Sequence, residues 1–84
     1  MIDEASAVAV LNPGEEFIFI GCLNNVVGDA AFVSMFYDGK EFEIETDEQW
    51  FKEQGVAPGD RFVVFRKAGE MRARTAPTVF NNGK

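Results

Sequence analysis

Ala31-Phe32-Val33-Ser34-Met35-Phe36-Tyr37-Asp38-Gly39-Lys40-Glu41-Phe42-Glu43-Ile44-Glu45-Thr46 is the stretch that decides the fold. Ala31 through Tyr37 is rich in β-favouring residues, and Asp38-Gly39 readily takes the type I′ turn that matches strand twist. From Lys40 to Thr46 the chain returns with Glu41, Glu43 and Glu45 alternating with Phe42 and Ile44, a period of two with one wet and one dry face. The register has two readings. A two-residue loop sets Val33 and Met35 opposite Ile44 and Phe42, whereas a three-residue Tyr37-Asp38-Gly39 loop brings Phe32 and Ser34 there instead. Either leaves apolar residues on the glutamate side, Phe32 and Phe36 or else Val33, Met35 and Tyr37, for a helix, another strand or a second subunit to cover.

Upstream, Asn12-Pro13-Gly14-Glu15 has the composition of a proline-glycine turn. It feeds Phe17-Ile18-Phe19-Ile20, apolar on consecutive residues and therefore a central strand with cover on both faces. Ala7 through Leu11 reads as a partner strand or as the end of an alanine-rich helix starting near Asp3, with the strand reading preferred. Asn24-Asn25 and Gly28-Asp29 suit left-handed turn positions, so Leu23 to Ala30 reads as a loop or an irregular hairpin.

Downstream, Thr46-Asp47-Glu48-Gln49 fits a capping box and predicts a short helix over about residues 47–54. Trp50 and Phe51 give it an apolar edge, Gly55 ends it in the left-handed position, and Val56 is expected to fold back on Phe51. Ala57-Pro58-Gly59-Asp60 is a second proline-glycine turn, leading into Phe62-Val63-Val64-Phe65, a second central strand. Ala68-Gly69 turns the chain again, Met71 to Thr75 alternates small or apolar residues with arginine, and residues 78–84 read as a frayed tail. Leu11-Asn12-Pro13-Gly14-Glu15-Glu16-Phe17-Ile18 echoes Val56-Ala57-Pro58-Gly59-Asp60-Arg61-Phe62-Val63 forty-five residues later, as shared turn-to-strand physics or a duplicated half-barrel would produce.

These elements make a mainly β chain with one short helix, either a small five- to six-stranded antiparallel barrel or a two-layer sheet. Three strands, a short helix and two strands is the order of an OB-like barrel. With 84 residues the chain is expected to form a single domain, and nine Phe supply a core without disulfide or metal. Cys22 is the only cysteine, so it reads as a small buried hydrophobe with no redox role. No apolar run approaches the roughly 18 residues of a membrane span, and Met1-Ile2-Asp3-Glu4 lacks the positive start of a secretory signal. A cytoplasmic, membrane-free setting is expected.

The absence of histidine removes the commonest general base, the commonest metal ligand and the His-based triads. Neither proline-glycine turn feeds a helix, as a phosphate-binding loop must. No enzyme activity, metal or cofactor is expected. The net charge of −6 is lopsided: residues 1–59 carry twelve acidic and two basic residues, and residues 60–84 two acidic and six basic. The halves are electrostatically complementary, so the basic hairpin is expected to face its own acidic sheet and nucleic-acid binding is disfavoured.

From Asp38 to Thr78 the chain resembles the AbrB-type swapped-hairpin regulators. The matching pattern is Phe42-Glu43-Ile44, the helix Asp47 to Gln54, Gly55-Val56, Pro58-Gly59-Asp60, Arg61 to Lys67 and Met71 to Thr75. Gln54 stands where that family usually sets an apolar residue. The resemblance implies an intertwined homodimer and DNA binding.

The functional expectation is a non-catalytic protein-binding or self-assembling module, a homo-oligomer among the alternatives. Trp50, Phe36, Tyr37 and Phe80 are its aromatic anchor candidates. Another reading is an acidic decoy or inhibitor that presents Glu41, Glu43, Glu45, Asp47 and Glu48 to the basic groove of a nucleic-acid-binding protein. A further one is an OB-like or AbrB-like nucleic-acid or small-ligand binder using Arg72 and Arg74.

Overall fold

The computed structural model describes residues 8–76. Within them lie β1 (Glu16–Val27), β2 (Ala30–Tyr37), β3 (Lys40–Asp47), α1 (Glu48–Gln54), β4 (Arg61–Lys67) and β5 (Glu70–Thr75). The strands form one antiparallel sheet in the order β3-β2-β1-β4-β5. The mainly β class with one short helix is as expected. The sheet is open, with β3 and β5 as its edges, so the closed barrel is not formed. The expected helix start near Asp3, Phe80 and the tail 78–84 lie outside the described residues.

β1 is central because its residues are apolar on both faces, and it is long enough to pair with β4 over Glu16 to Cys22 and with β2 over Ile20 to Val27. Two bulges bend it, between Phe17 and Phe19 and between Leu23 and Asn25. Of the two readings of Leu23 to Ala30, loop or irregular hairpin, the structure takes the hairpin, with strand continuing up to Val27 and a bulge at Asn24. Asn24, left out of the ladder, donates its side-chain amide to buried Ser34 Oγ at 2.9 Å. Only Gly28-Asp29 turns, with Gly28 at φ 64°.

The hairpin at Asp38-Gly39 takes the two-residue loop, with Val33 opposite Ile44 and Met35 opposite Phe42. Both turn residues have positive φ, 55° and 73°, as type I′ requires. Phe32, Ser34 and Phe36 therefore share a face with Glu45, Glu43 and Glu41. Cover for Phe36 comes from the amino-terminal segment: Val10 and Leu11 pack with Phe17 and Phe36 against buried Ile20, Val63 and Ala76. That segment is not the favoured partner strand. Val8 and Ala9 are helical, and Leu11 N–H donates to Val8 C=O at 3.1 Å. Placed across the sheet face, it covers Ile20 and Val63 with side chains, which a strand at an edge could not do.

The opposite face packs Leu23, Ala31, Val33, Phe62, Val64 and Ala73 against Phe51 of α1 and Val56 beyond it. The N-cap of α1 is Asp47 rather than Thr46, its carboxylate accepting Gln49 N–H at 3.0 Å. β3 runs through Asp47 and the helix starts at Glu48, so the residue next to the first turn is Asp47 and not Thr46. The helix ends as expected, with Gly55 at φ 76° and Val56 N–H reaching back to Phe51 C=O at 2.9 Å, so that orphan carbonyls are satisfied and Val56 enters the core.

The two proline-glycine turns are the same structure. In each, the fourth residue's N–H donates to the first residue's C=O: Glu15 to Asn12 at 3.0 Å and Asp60 to Ala57 at 2.9 Å. In each, that fourth residue's carboxylate accepts the first residue's N–H, at 2.7 Å and 2.9 Å. The sequence echo thus has a shared hydrogen-bonding cause. The turns deliver β1 and β4 into one ladder, where Gly21 lies opposite Phe62.

A side chain at Gly21 would put Cβ 2.7 Å from the Phe62 ring and 2.9 Å from Ser34 C=O. Phe62 is fully buried and cannot swing away, because its ring meets Phe51 and Phe19 edge-on at 5.3 Å and 6.4 Å. Gly21→Ala is expected to lower unfolding free energy by about 1–3 kcal/mol, the usual cost of overpacking a core. Chemical denaturation of the two proteins measures it, and equal midpoints would contradict the packing described.

Candidate functional site

Residues paired across a ladder share a face, which places the candidates that lie on strands. Glu41, Glu43 and Glu45 stand on one face of β3, at the sheet edge. Arg72 and Arg74 stand on the same face at the other edge, opposite Phe65 and Val63 of β4. The covered apolar strip of Ile20, Val63 and Phe36 lies between them. The structure therefore does not bring the acidic and basic candidates together.

The arginines are engaged locally. Arg74 makes a two-pronged pair with Glu15, Nη1 to Oε1 and Nη2 to Oε2 both at 2.8 Å. It also donates to Val10 C=O at 3.2 Å and lies over the Phe65 ring at 4.8 Å. Arg72 pairs with Glu70 at 2.7 Å, and Arg66 approaches Glu16 at 3.7 Å. The basic hairpin thus meets acidic residues at the start of β1 and on its own strand, and none of the ion pairs among the described residues involves Glu41, Glu43 or Glu45.

Of the aromatic candidates, Phe36 is half-buried in the second cluster. Trp50 is half-buried, packing against the main core with its ring edge-on to Phe51 at 4.9 Å. Tyr37 is exposed. Asp47 caps α1, and Glu48 approaches Lys52 at 3.7 Å. Phe80 lies outside the described residues. Cys22 is a free thiol, half-buried.

The dry face expected for β3 is not dry. All eight residues of the strand are exposed, Phe42 at 43% and Ile44 at 39%. The core lies under β1, β2 and β4, and β3 extends past it. A shallow groove between β3 and the end of β1 is lined by Asn24, Val27, Phe32, Glu43, Ile44 and Glu45. The candidate site is therefore the outer edge of β3, with carboxylates on one side, Phe42 and Ile44 on the other and the groove alongside. Periodicity identified its residues, but the alternation also fits a half-buried inner strand, so their exposure could not be read from it.

The two edges differ in one respect invisible to pattern reading. At β5, Gln54 Oε1 accepts the Ala73 N–H at 3.1 Å, which occupies one backbone donor of that edge. Among the described residues no three His, Cys, Asp or Glu side chains gather as a metal site would require, and no helix is long and apolar enough to cross a membrane. Comparisons with protein-family models, curated proteins and solved structures find no match.

Glu15 was missed as a functional or structural residue, although its place in the repeated turn was the available signal. Its side chain is 2% exposed. Arg74 first, and then the Asn12 N–H, hold its carboxyl at about 2, down from 4.5. A depressed carboxyl contributes stability that is present above the unfolded-state pKa and lost as pH falls through the folded one. Wild type is therefore expected to lose this contribution between about pH 4.5 and pH 2. The stability gap between wild type and Glu15→Gln should close over that window, read by urea melts at stepped pH; a gap unchanged from pH 6 to about pH 2 would refute the assignment.

Proposed function

We propose that this chain is a non-catalytic protein-binding module and that β3 is its binding element. The observation that carries this reading is the bare β3 edge: a fully exposed strand whose alternate residues, Phe42 and Ile44, are apolar. Exposed strand edges are templates for another chain, and the residual area on Phe42 and Ile44 favours contact once pairing begins. Catalysis finds no support: histidine is absent, and the three glutamates stand on an open surface without the enclosure that would raise a carboxyl pKa.

A second reading, the acidic decoy, is favoured by the freedom of Glu41, Glu43 and Glu45 from ion pairs. Same-face carboxylates on a strand recur at about 7 Å, close to the phosphate spacing of a single nucleic-acid strand. Nucleic-acid binding through Arg72 and Arg74 has the OB-like strand order behind it, but both arginines already hold carboxylates. Self-assembly through β3 is disfavoured, because an antiparallel pair of β3 edges that keeps the faces continuous sets glutamate against glutamate.

Affinity capture from native-host extract tests the main reading against these. A partner retained by wild type should be lost by Glu41→Lys/Glu43→Lys/Glu45→Lys and weakened by Phe42→Ser/Ile44→Ser, both variants melting like wild type. A decoy would tolerate the apolar change and release its partner steeply with salt. Equal capture by wild type and both variants would overturn β3 as the binding element.

A further inference from the structure

We infer that β3 binds by strand addition, and that its occupant is an extended segment of a partner protein in which lysine or arginine alternates with apolar residues. This rests on the protein-binding reading above and specifies the chemistry of the partner.

Three observations define the occupant. The first is that the edge is regular: β3 pairs with β2 without interruption from Ala30 opposite Asp47 to Tyr37 opposite Lys40. It carries no bulge and no proline, two of the devices that blunt an edge. The bulges of this sheet lie in β1, which is paired on both sides. The second is that the two edges differ, because Gln54 takes one backbone donor of β5, the Ala73 N–H. Among the described residues β3 pairs with β2 alone.

The third is charge. An added strand continues both faces of the sheet, with its side chains at the same two-residue period. On one face they come beside Glu41, Glu43 and Glu45, on the other beside Phe42 and Ile44. The glutamates take part in none of the ion pairs among the described residues. A strand with basic residues at alternate positions supplies one cation to each carboxylate and apolar contact to the opposite face. A second copy of β3 fails this condition, because centring the pair on Glu43 sets Glu43 against Glu43 and Glu41 against Glu45. A uniformly basic segment satisfies the carboxylates but places charge against Phe42 and Ile44. The carboxylates thus bar self-pairing and select a basic strand, while Phe42 and Ile44 select the alternation.

The probe is a short synthetic peptide alternating lysine with valine. Its control has the same composition with the lysines in one block and the valines in the other. Titration calorimetry of the whole chain should give a Kd about tenfold or more tighter for the alternating peptide. Hydrogen exchange should show new protection confined to Lys40–Asp47 and the peptide. Glu41→Gln/Glu43→Gln/Glu45→Gln, which keeps side-chain size and removes charge, should weaken binding by about tenfold or more, and Phe42→Ser/Ile44→Ser by a comparable factor. Equal affinity for the two peptides, or binding without protection of β3, would overturn strand addition. No binding of either peptide would overturn the basic-strand chemistry, and the extract capture would then judge the protein-binding reading independently, so the two failures are distinguishable.

Discussion

The passage of β1 over the ring of Phe62 at Gly21 is the contact on which this fold depends. A backbone without a side chain at that point lets Phe62 fill the space beneath the central strand and meet Phe51 and Phe19 edge-on. β1 and β4 are thereby held side by side in close register, and α1 has a ring to seat against. The two hydrogen-bonded proline-glycine turns set how these strands enter the ladder, and the second is also tied to β1 through Leu23, whose N–H and C=O pair with Asp60 and Gly59 at 3.0 Å and 2.7 Å.

Charge is distributed around that frame in two different ways. On the β5 side the acids and bases are matched at close range, Glu15 with Arg74, Glu16 with Arg66 and Glu70 with Arg72. Only the first is enclosed and two-pronged, and it fastens β5 to the turn before β1. The other two are exposed, and such pairs contribute little. On the β3 side the carboxylates have no such partners. The imbalance between the two halves of the sequence is thus resolved at one edge and left standing at the other. An uncapped strand edge coincides there with uncompensated charge and incompletely buried Phe42 and Ile44, a combination that the rest of the surface does not share among the described residues.

Local signals were the readable ones. Asp38-Gly39, the two proline-glycine turns and Gly55 each constrain only a few residues, and all turn or terminate where composition places them. Where a residue had two local options, the ladder chose. Thr46 could cap a helix, but the ladder with β2 runs one residue further and the helix starts at Glu48, so Asp47 caps instead. Asn24-Asn25 could turn the chain but lies in a strand paired with β2, where a bulge absorbs the extra residue and Ser34 accepts the freed amide. Ala7 to Leu11 suits strand or helix, and a groove of apolar side chains over Ile20 and Val63 favours the compact helical form at Val8 and Ala9.

The amino-acid order by itself determined that this is a chiefly β chain with a short capped helix, which residues alternate on the third strand, and that histidine chemistry is absent. These follow from side-chain period, turn stereochemistry and composition, none of which needs a distant contact. Tertiary structure alone decided that the third strand is an edge, that Gln54 takes the Ala73 N–H of the fifth, that Arg74 belongs to Glu15 and that the sheet stays open. Each of these concerns residues far apart in the chain, and a pattern of period two is the same whether a neighbouring strand, a helix or solvent lies beside it.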